Sequence, residues 1–146
     1  MFKFIDISSQ NKNILDQEIL KFEQAGSADE PRDTIEVAKN YTMAKPIAIY
    51  NDEDLIAFLV YEALNPGKSD FLIWDFVVHH KFQRKGFGYK IMKQLITLLK
   101  SKYKAKRIEL AFVPDNLPAK NLYLKLGFKE NGEINSDGEV IMGIMI

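Results

Sequence analysis

At 146 residues, with 20 basic and 20 acidic side chains and 47% hydrophobic content, the chain is sized for one domain that buries roughly 70% of its unfolded surface. Cysteine is absent, which excludes disulfides, thiolate metal sites and a cysteinyl acyl-enzyme and suits a reducing compartment. No run approaches the ~18 apolar residues of a membrane span, and Met1-Phe2-Lys3-Phe4-Ile5-Asp6 carries a charge and no small-residue cleavage site, so a soluble, unprocessed cytoplasmic protein is expected.

Phe2, Phe4, Ile5 and Ile7 predict a first strand. Ile14, Leu15, Ile19, Leu20 and Phe22 then fall near helical spacing in a helix from about Ser9 to Phe22. A polar connection over residues 25–32 leads to a short helix at Asp33 to Asn40. Pro46-Ile47-Ala48-Ile49-Tyr50 and the run Leu55 to Tyr61 flank Asn51-Asp52-Glu53-Asp54, a hairpin with an acidic turn. Asn65-Pro66-Gly67-Lys68 makes the next turn and feeds a buried strand from Phe71 to Val78. After the loop Gln83 to Gly88, Ile91, Met92, Leu95, Ile96, Leu98 and Leu99 form one apolar helical stripe, with Lys90, Lys93, Gln94, Thr97 and Lys100 facing away. Arg107 to Val113 reads as a strand and Leu117 to Leu126 as a helix. Gly127-Phe128 opens a closing hairpin through Asp137-Gly138 to the apolar tail Val140 to Ile146.

No linker, repeat or low-complexity segment interrupts this order, so residues 1–146 are expected to be a single domain. The strand–helix–strand crossover makes the strands at Phe71 and Arg107 parallel neighbours in an otherwise antiparallel sheet, an α/β (α+β) arrangement whose ligands bind at the carboxyl ends of the parallel strands. The glycine loop and Pro114-Asp115-Asn116 both lie at those ends.

The loop Gln83-Arg84-Lys85-Gly86-Phe87-Gly88 runs straight into a helix. Gly86 and Gly88 carry no side chains to hold a ligand off the backbone, and the bare amides and positive dipole end of the helix favour an anion. Charge is segregated to match. Residues 1–75 hold 14 acids and 7 bases, residues 76–107 no acid and 10 bases, and residues 108–146 6 acids and 3 bases. Such a field draws a polyanion to the loop and leaves an acidic remainder for a cation. Lys93, Lys100, Lys102 and Lys104 fit a solvated helix face; Arg84, Lys85 and Lys90 are kept as ligand candidates.

A Walker loop fails here, because Phe87, Gly88 and Tyr89 follow Gly86 and supply no Ser or Thr for magnesium. A dinucleotide fingerprint fails because Ile91 stands where a third glycine is needed. The pattern Gln/Arg-x-x-Gly-x-Gly/Ala is met by Gln83, Gly86 and Gly88 and resembles the acetyl-CoA loop of the GNAT N-acetyltransferases. Asn116-Leu117-Pro118-Ala119-Lys120-Asn121-Leu122-Tyr123 with Leu126-Gly127-Phe128 resembles the second signature of that family. The resemblance covers about Pro46 to the C-terminus. Ile47-Ala48-Ile49-Tyr50, Ile73-Trp74 and Gly132-Glu133-Ile134 look like the bacterial spermine/spermidine (diamine) acetyltransferase branch.

The resemblance implies a GNAT fold: a mixed, mostly antiparallel sheet of six to seven strands, about four helices, and the parallel crossover at the cofactor site. It implies acetyl-CoA as cosubstrate, no metal, and transfer to a primary amine of a small cationic acceptor, spermidine, spermine or another diamine among the candidates, with a protein amine or an aminoglycoside as the alternative acceptor. Gln83 and the loop amides Arg84, Lys85, Gly86, Phe87, Gly88 and Tyr89 would hold the pyrophosphate. The pantetheine arm would pair with Phe76, Val77 and Val78 and touch Asn116. An amide near Val78 would polarise the thioester carbonyl. Tyr123 matches the tyrosine that donates a proton to the departing thiolate; a phenol near pKa ~10 facing a thiol near ~8.5 makes strong hydrogen-bond donation a large part of that role. From pattern alone Tyr123 is equally a core aromatic on the face Ala119, Leu122, Tyr123 and Leu126.

An amine near pKa ~10.4 must lose a proton before it attacks. Asp75, Glu62 and ordered water are the candidate bases. Asp75 aligns with an acidic position in eukaryotic polyamine relatives, whose adjacent acidic position is Trp74 here. Asp29, Glu30, Asp33 and Glu36 cluster where the early helices of the family wall the acceptor site. His79-His80 lacks a third ligand at metal spacing and suits a turn or surface role. Trp74 is expected to pack on the sheet or a partner subunit, with lining of the acceptor channel as the lesser alternative, and the apolar tail suits a core strand or a homodimer contact. Two other functions remain open: a CoA sensor without turnover, and a nucleic-acid surface on the 76–107 block. The second is disfavoured by the lack of interleaved aromatics and of a recognised module. The expected partner is therefore a small amine, with no nucleic acid and no membrane.

Overall fold

The computed structural model describes residues 2–8 and 31–146. The helix expected over Ser9 to Phe22, and Asp29 and Glu30, lie outside the described residues. Eight strands and three α-helices are present among those described: β1 (Lys3–Asp6), α1 (Pro31–Ala38), β2 (Ala44–Asn51), β3 (Asp54–Ala63), β4 (Asp70–Ile73), β5 (Val77–Val78), α2 (Phe87–Tyr103), β6 (Arg107–Phe112), α3 (Leu117–Leu126), β7 (Lys129–Ile134) and β8 (Val140–Met145). Among the described residues β1/β2, β2/β3, β3/β5, β6/β8 and β7/β8 pair antiparallel and β4/β6 pairs parallel, so the class is mixed α+β as expected. Strands number eight rather than six or seven because the run Phe71 to Val78 is not one strand: it breaks at Trp74-Asp75-Phe76 into β4 and β5. Among the described residues no helix is long and apolar enough to cross a membrane.

The chain divides into two compact units, Met1–Glu62 with Trp74–Phe87, and Ala63–Ile73 with Gly88–Ile146. In the first, β1 pairs with β2 and β2 with β3, and β5 pairs with β3 at Ala57↔Val78 and Phe58↔Val77. The β2–β3 turn is tight because Asp52 takes a left-handed backbone (φ 55°), which a short polar residue tolerates. Helix α1 starts at Pro31, two residues before the expected Asp33, since a proline at the first helical position gives up an N–H that has no helical partner anyway. Ile35 and Ala38 of α1 are buried in one apolar cluster with Ile7, Ala48, Leu55, Phe58, Val60 and Val77, and Trp74 packs against it.

In the second unit the strand order is β4-β6-β8-β7. The parallel β4/β6 ladder ends at Ile73↔Leu110, while β8 continues along β6 to Phe112↔Val140. Along β6, Ile108, Leu110 and Phe112 are buried in alternation, the period-2 signature of a half-covered strand. Helix α2 buries Ile91, Met92, Leu95 and Leu99, the core of the expected stripe. Strand β7 is exposed along its whole length, and its pairing with β8 is irregular between Glu130 and Ile134, where Gly132 has φ 85°.

Helix α3 has the bounds read from the sequence, and its ends show why. Asn116 caps it, accepting the Ala119 N–H at 3.2 Å, and Pro118 sits in the first turn where its missing N–H costs nothing. At the other end Gly127 has φ 102° and donates to Leu124 O, while Phe128 N–H reaches back to Tyr123 O at 2.9 Å, a Schellman motif. A Cβ on Gly127 would meet Ile144 Cδ1 at 3.3 Å. Replacing Gly127 with Ala is therefore expected to cost about 1–2 kcal/mol from the left-handed backbone alone, read as a lower denaturant midpoint at unchanged m-value.

Candidate functional site

The break after Ile73 is a β-bulge. Trp74 N–H donates to Val60 O (2.8 Å), yet Val77 stands opposite Phe58, so three steps on one backbone match two on the other. One extra residue bends the strand and re-aims the side chains around it. Asp75, in the bulge, accepts a 2.7 Å hydrogen bond from Thr34 Oγ1 of α1, and Thr34 itself is buried. Trp74 donates its indole N–H to Glu62 Oε1 at 3.2 Å and meets Tyr41 edge-on.

Beyond the bulge, His79 N–H donates to Ile56 O (2.8 Å). Hydrogen bonding alternates along an antiparallel ladder, so the N–H and C=O of Val78, one residue earlier, point away from β3. The carbonyl confirms this: it accepts from Gln83 Nε2 at 2.8 Å. Gln83 thus pins the start of the glycine loop to the strand it leaves. The His79 ring is buried, takes the Lys81 N–H on Nδ1 (3.2 Å) and lies against Phe82. It shapes the 3-10 turn at residues 80–82, the turn role expected of it.

From Gln83 to Gly86 the backbone makes a turn in which Arg84 (φ 63°) and Gly86 (φ 80°) are left-handed. Alternating handedness gathers successive N–H groups into a concave nest for an anion. A left-handed arginine costs about 1–2 kcal/mol, so this local geometry is maintained against its backbone preference. A Cβ on Gly86 would meet nothing within 4 Å; the space in front of this residue is not filled by the protein. Helix α2 begins at the next residue with no acid in its first turn, so no carboxylate of that turn offsets its positive dipole end.

The Phe87 ring packs edge-on with Phe2 (5.8 Å) and Phe82 (6.0 Å), anchoring the helix start and leaving free for a ligand only the amide that the sequence singles out. Lys85 Nζ lies over the Phe82 ring at 5.9 Å. Within the second unit, Tyr89 receives both Lys93 (5.5 Å) and Lys125 (4.8 Å) over its ring, so Lys93 does more than solvate a helix face.

Tyr123 is 7% exposed, its ring packed against Phe112 (6.3 Å) and Phe128 (5.9 Å). Phe128 is the residue that closes the Schellman motif, so the Leu-Tyr and Gly-Phe elements of the second signature form one device that fixes the orientation of the phenol. Both readings of Tyr123 share this packing. Asn116 lies at the N-terminus of the same helix with its Oδ1 committed to the cap.

The structure therefore brings Asp75, Phe76, Val77, Val78 and residues 83–87 together in the first unit, and Gly88, Tyr89, Asn116 and Tyr123 belong to the second. Sequence reasoning missed Thr34 and Phe2, which meet Asp75 and Phe87 only through tertiary contact, and Phe82, the residue just before Gln83.

Comparison with known proteins bears on the family and the fold. The profile of the acetyltransferase (GNAT) family matches residues 12–128. The chain is similar to the spermine/spermidine N(1)-acetyltransferase of Bacillus subtilis strain 168, with 34% identity over 113 residues that cover 74% of each protein. In fold it is similar to the aminoglycoside acetyltransferase AAC(6')-Ib in complex with coenzyme A, at TM-score 0.78 and 15% identity over 99% of this chain and 95% of that one. It is also similar to the spermidine N-acetyltransferase of Vibrio cholerae in complex with CoA and spermine, at TM-score 0.70 and 14% identity over 99% and 95%.

Proposed function

Because the chain belongs to the GNAT acetyltransferase family and is thus an N-acetyltransferase, we propose that it moves acetyl from acetyl-CoA directly onto a primary amine of a small cationic acceptor, with spermidine and spermine as first candidates. The observation that carries the reading is the left-handed nest at Arg84 and Gly86 opening onto the N-terminus of α2. Acetyl-CoA supplies an activated acyl group on sulfur; the chain's own residues do the rest.

The donor set suits the coenzyme. Amides of residues 84–89 offer a dense array for a diphosphate, and Arg84, Lys85 and Lys90 add charge. Val78 N–H, turned away from β3, is a fixed donor for the thioester carbonyl, worth far more than water because it needs no reorganisation. Asn116 contacts the pantetheine arm through the Nδ2 that its cap leaves over. Tyr123 donates a hydrogen bond to the departing sulfur. Asp75, held by Thr34 Oγ1, takes the proton from the amine. The Bacillus relative's activity on spermine and spermidine supports the acceptor class.

Thiol release from acetyl-CoA, followed over spermidine, spermine, putrescine, lysine and an aminoglycoside, tests this. Saturable release with the polyamines is expected, with kcat/KM at least roughly tenfold above that for lysine, about 1.4 kcal/mol of discrimination. Tight CoA binding with no transfer to any amine would leave a sensor and remove the reading.

A further inference from the structure

Glu62 stands near the end of β3, half-buried. Its one described partner is the neutral indole N–H of Trp74 at 3.2 Å, and among the described residues no cation pairs with it. The contrast is with Glu36, Glu109 and Glu130, which are matched by Lys39, Arg107 and Lys120. A carboxylate partly withdrawn from water keeps its charge most cheaply beside a cation. Trp74 and Tyr41 meet at 5.3 Å and 86°, two perpendicular rings at the same place, and ring faces attract organic ammonium groups. Asp75, the proposed proton acceptor, follows Trp74 in the chain. One carboxylate hydrogen-bonded to Trp74 and a second on the next residue suit a molecule with two separated positive charges.

We propose that Glu62 anchors a second, non-reacting ammonium of the acceptor, with Trp74 and Tyr41 as aromatic walls, so that the acceptor class narrows to diamines and polyamines. This rests on the reading of the acceptor as a cationic amine. Trp74 is the single tryptophan of the chain, so the anchor reports on itself without catalysis: spermidine should change the tryptophan emission saturably, and butylamine, with one charge, should not.

The variant Glu62→Gln keeps an oxygen for the indole and removes the charge. It is expected to weaken the spermidine emission response and raise the spermidine KM roughly tenfold, with kcat within about twofold and acetyl-CoA binding unchanged. An unaltered spermidine KM in that variant, or an equal emission response to butylamine, would overturn the anchor while polyamine acetylation by the wild type left the enzymatic reading in place. An emission response that depends on Glu62, in a protein that acetylates nothing, would support the anchor and remove the enzymatic reading instead.

Discussion

Tyr123→Phe is expected to lower turnover by roughly tenfold or more, while the affinity for acetyl-CoA changes by less than about twofold. The substitution is clean because the ring stays. Phe112 and Phe128 pack on the aromatic faces and edges of residue 123, and the bond from Phe128 N–H goes to its backbone carbonyl, which Phe supplies equally. Only the hydroxyl is lost, so the melting temperature should fall by no more than a few degrees. A tenfold loss corresponds to about 1.4 kcal/mol of barrier, the size expected when a leaving thiolate loses one good hydrogen bond. Pre-steady-state acetyl transfer is the deciding measurement, because it separates chemistry from product release. Wild-type turnover would return Tyr123 to the status of a core aromatic.

Gly86→Ala should act on the other half of the reaction. The added methyl meets no protein atom within 4 Å, so the fold loses only the left-handed preference of glycine at φ 80°, about 1–2 kcal/mol. The same methyl projects from the middle of the proposed diphosphate nest. A KM for acetyl-CoA raised roughly thirtyfold is expected, equivalent to about 2 kcal/mol, with the KM for the amine little changed. Isothermal titration with CoA checks it directly. Near-normal CoA affinity in a folded Gly86→Ala protein would mean that the diphosphate sits elsewhere.

Much of this was legible in the letters. The helix Leu117–Leu126 could be bounded to the residue because Asn116, Pro118 and Gly127 are local signals, each acting through its own backbone. The β2–β3 hairpin and the apolar stripe of α2 were legible for the same reason. The strand after Asp70 was not. Phe71-Leu72-Ile73-Trp74-Asp75-Phe76-Val77-Val78 carries no glycine or proline to mark a break, and the bulge exists only as a mismatch of register against β3. The nest was anticipated from Gly86 and Gly88, but the left-handed residues are Arg84 and Gly86, and a left-handed arginine has no sequence signature. The bonds from Thr34 to Asp75 and from Trp74 to Glu62 span 41 and 12 residues; such pairs are invisible until the chain has folded.

Among the described residues strand β7 closes one side of its sheet with nothing hydrogen-bonded beyond it, and an open rank of main-chain donors and acceptors is an invitation to templated fibre growth. Here the invitation is withdrawn. Lys129, Glu130 and Glu133 would each face a stranger's backbone with charge, and the irregular stretch around Gly132 denies it a flat surface on which to propagate. That margin is accordingly expected not to seed fibres, and neutralising those three charges would be the quickest way to lose that protection.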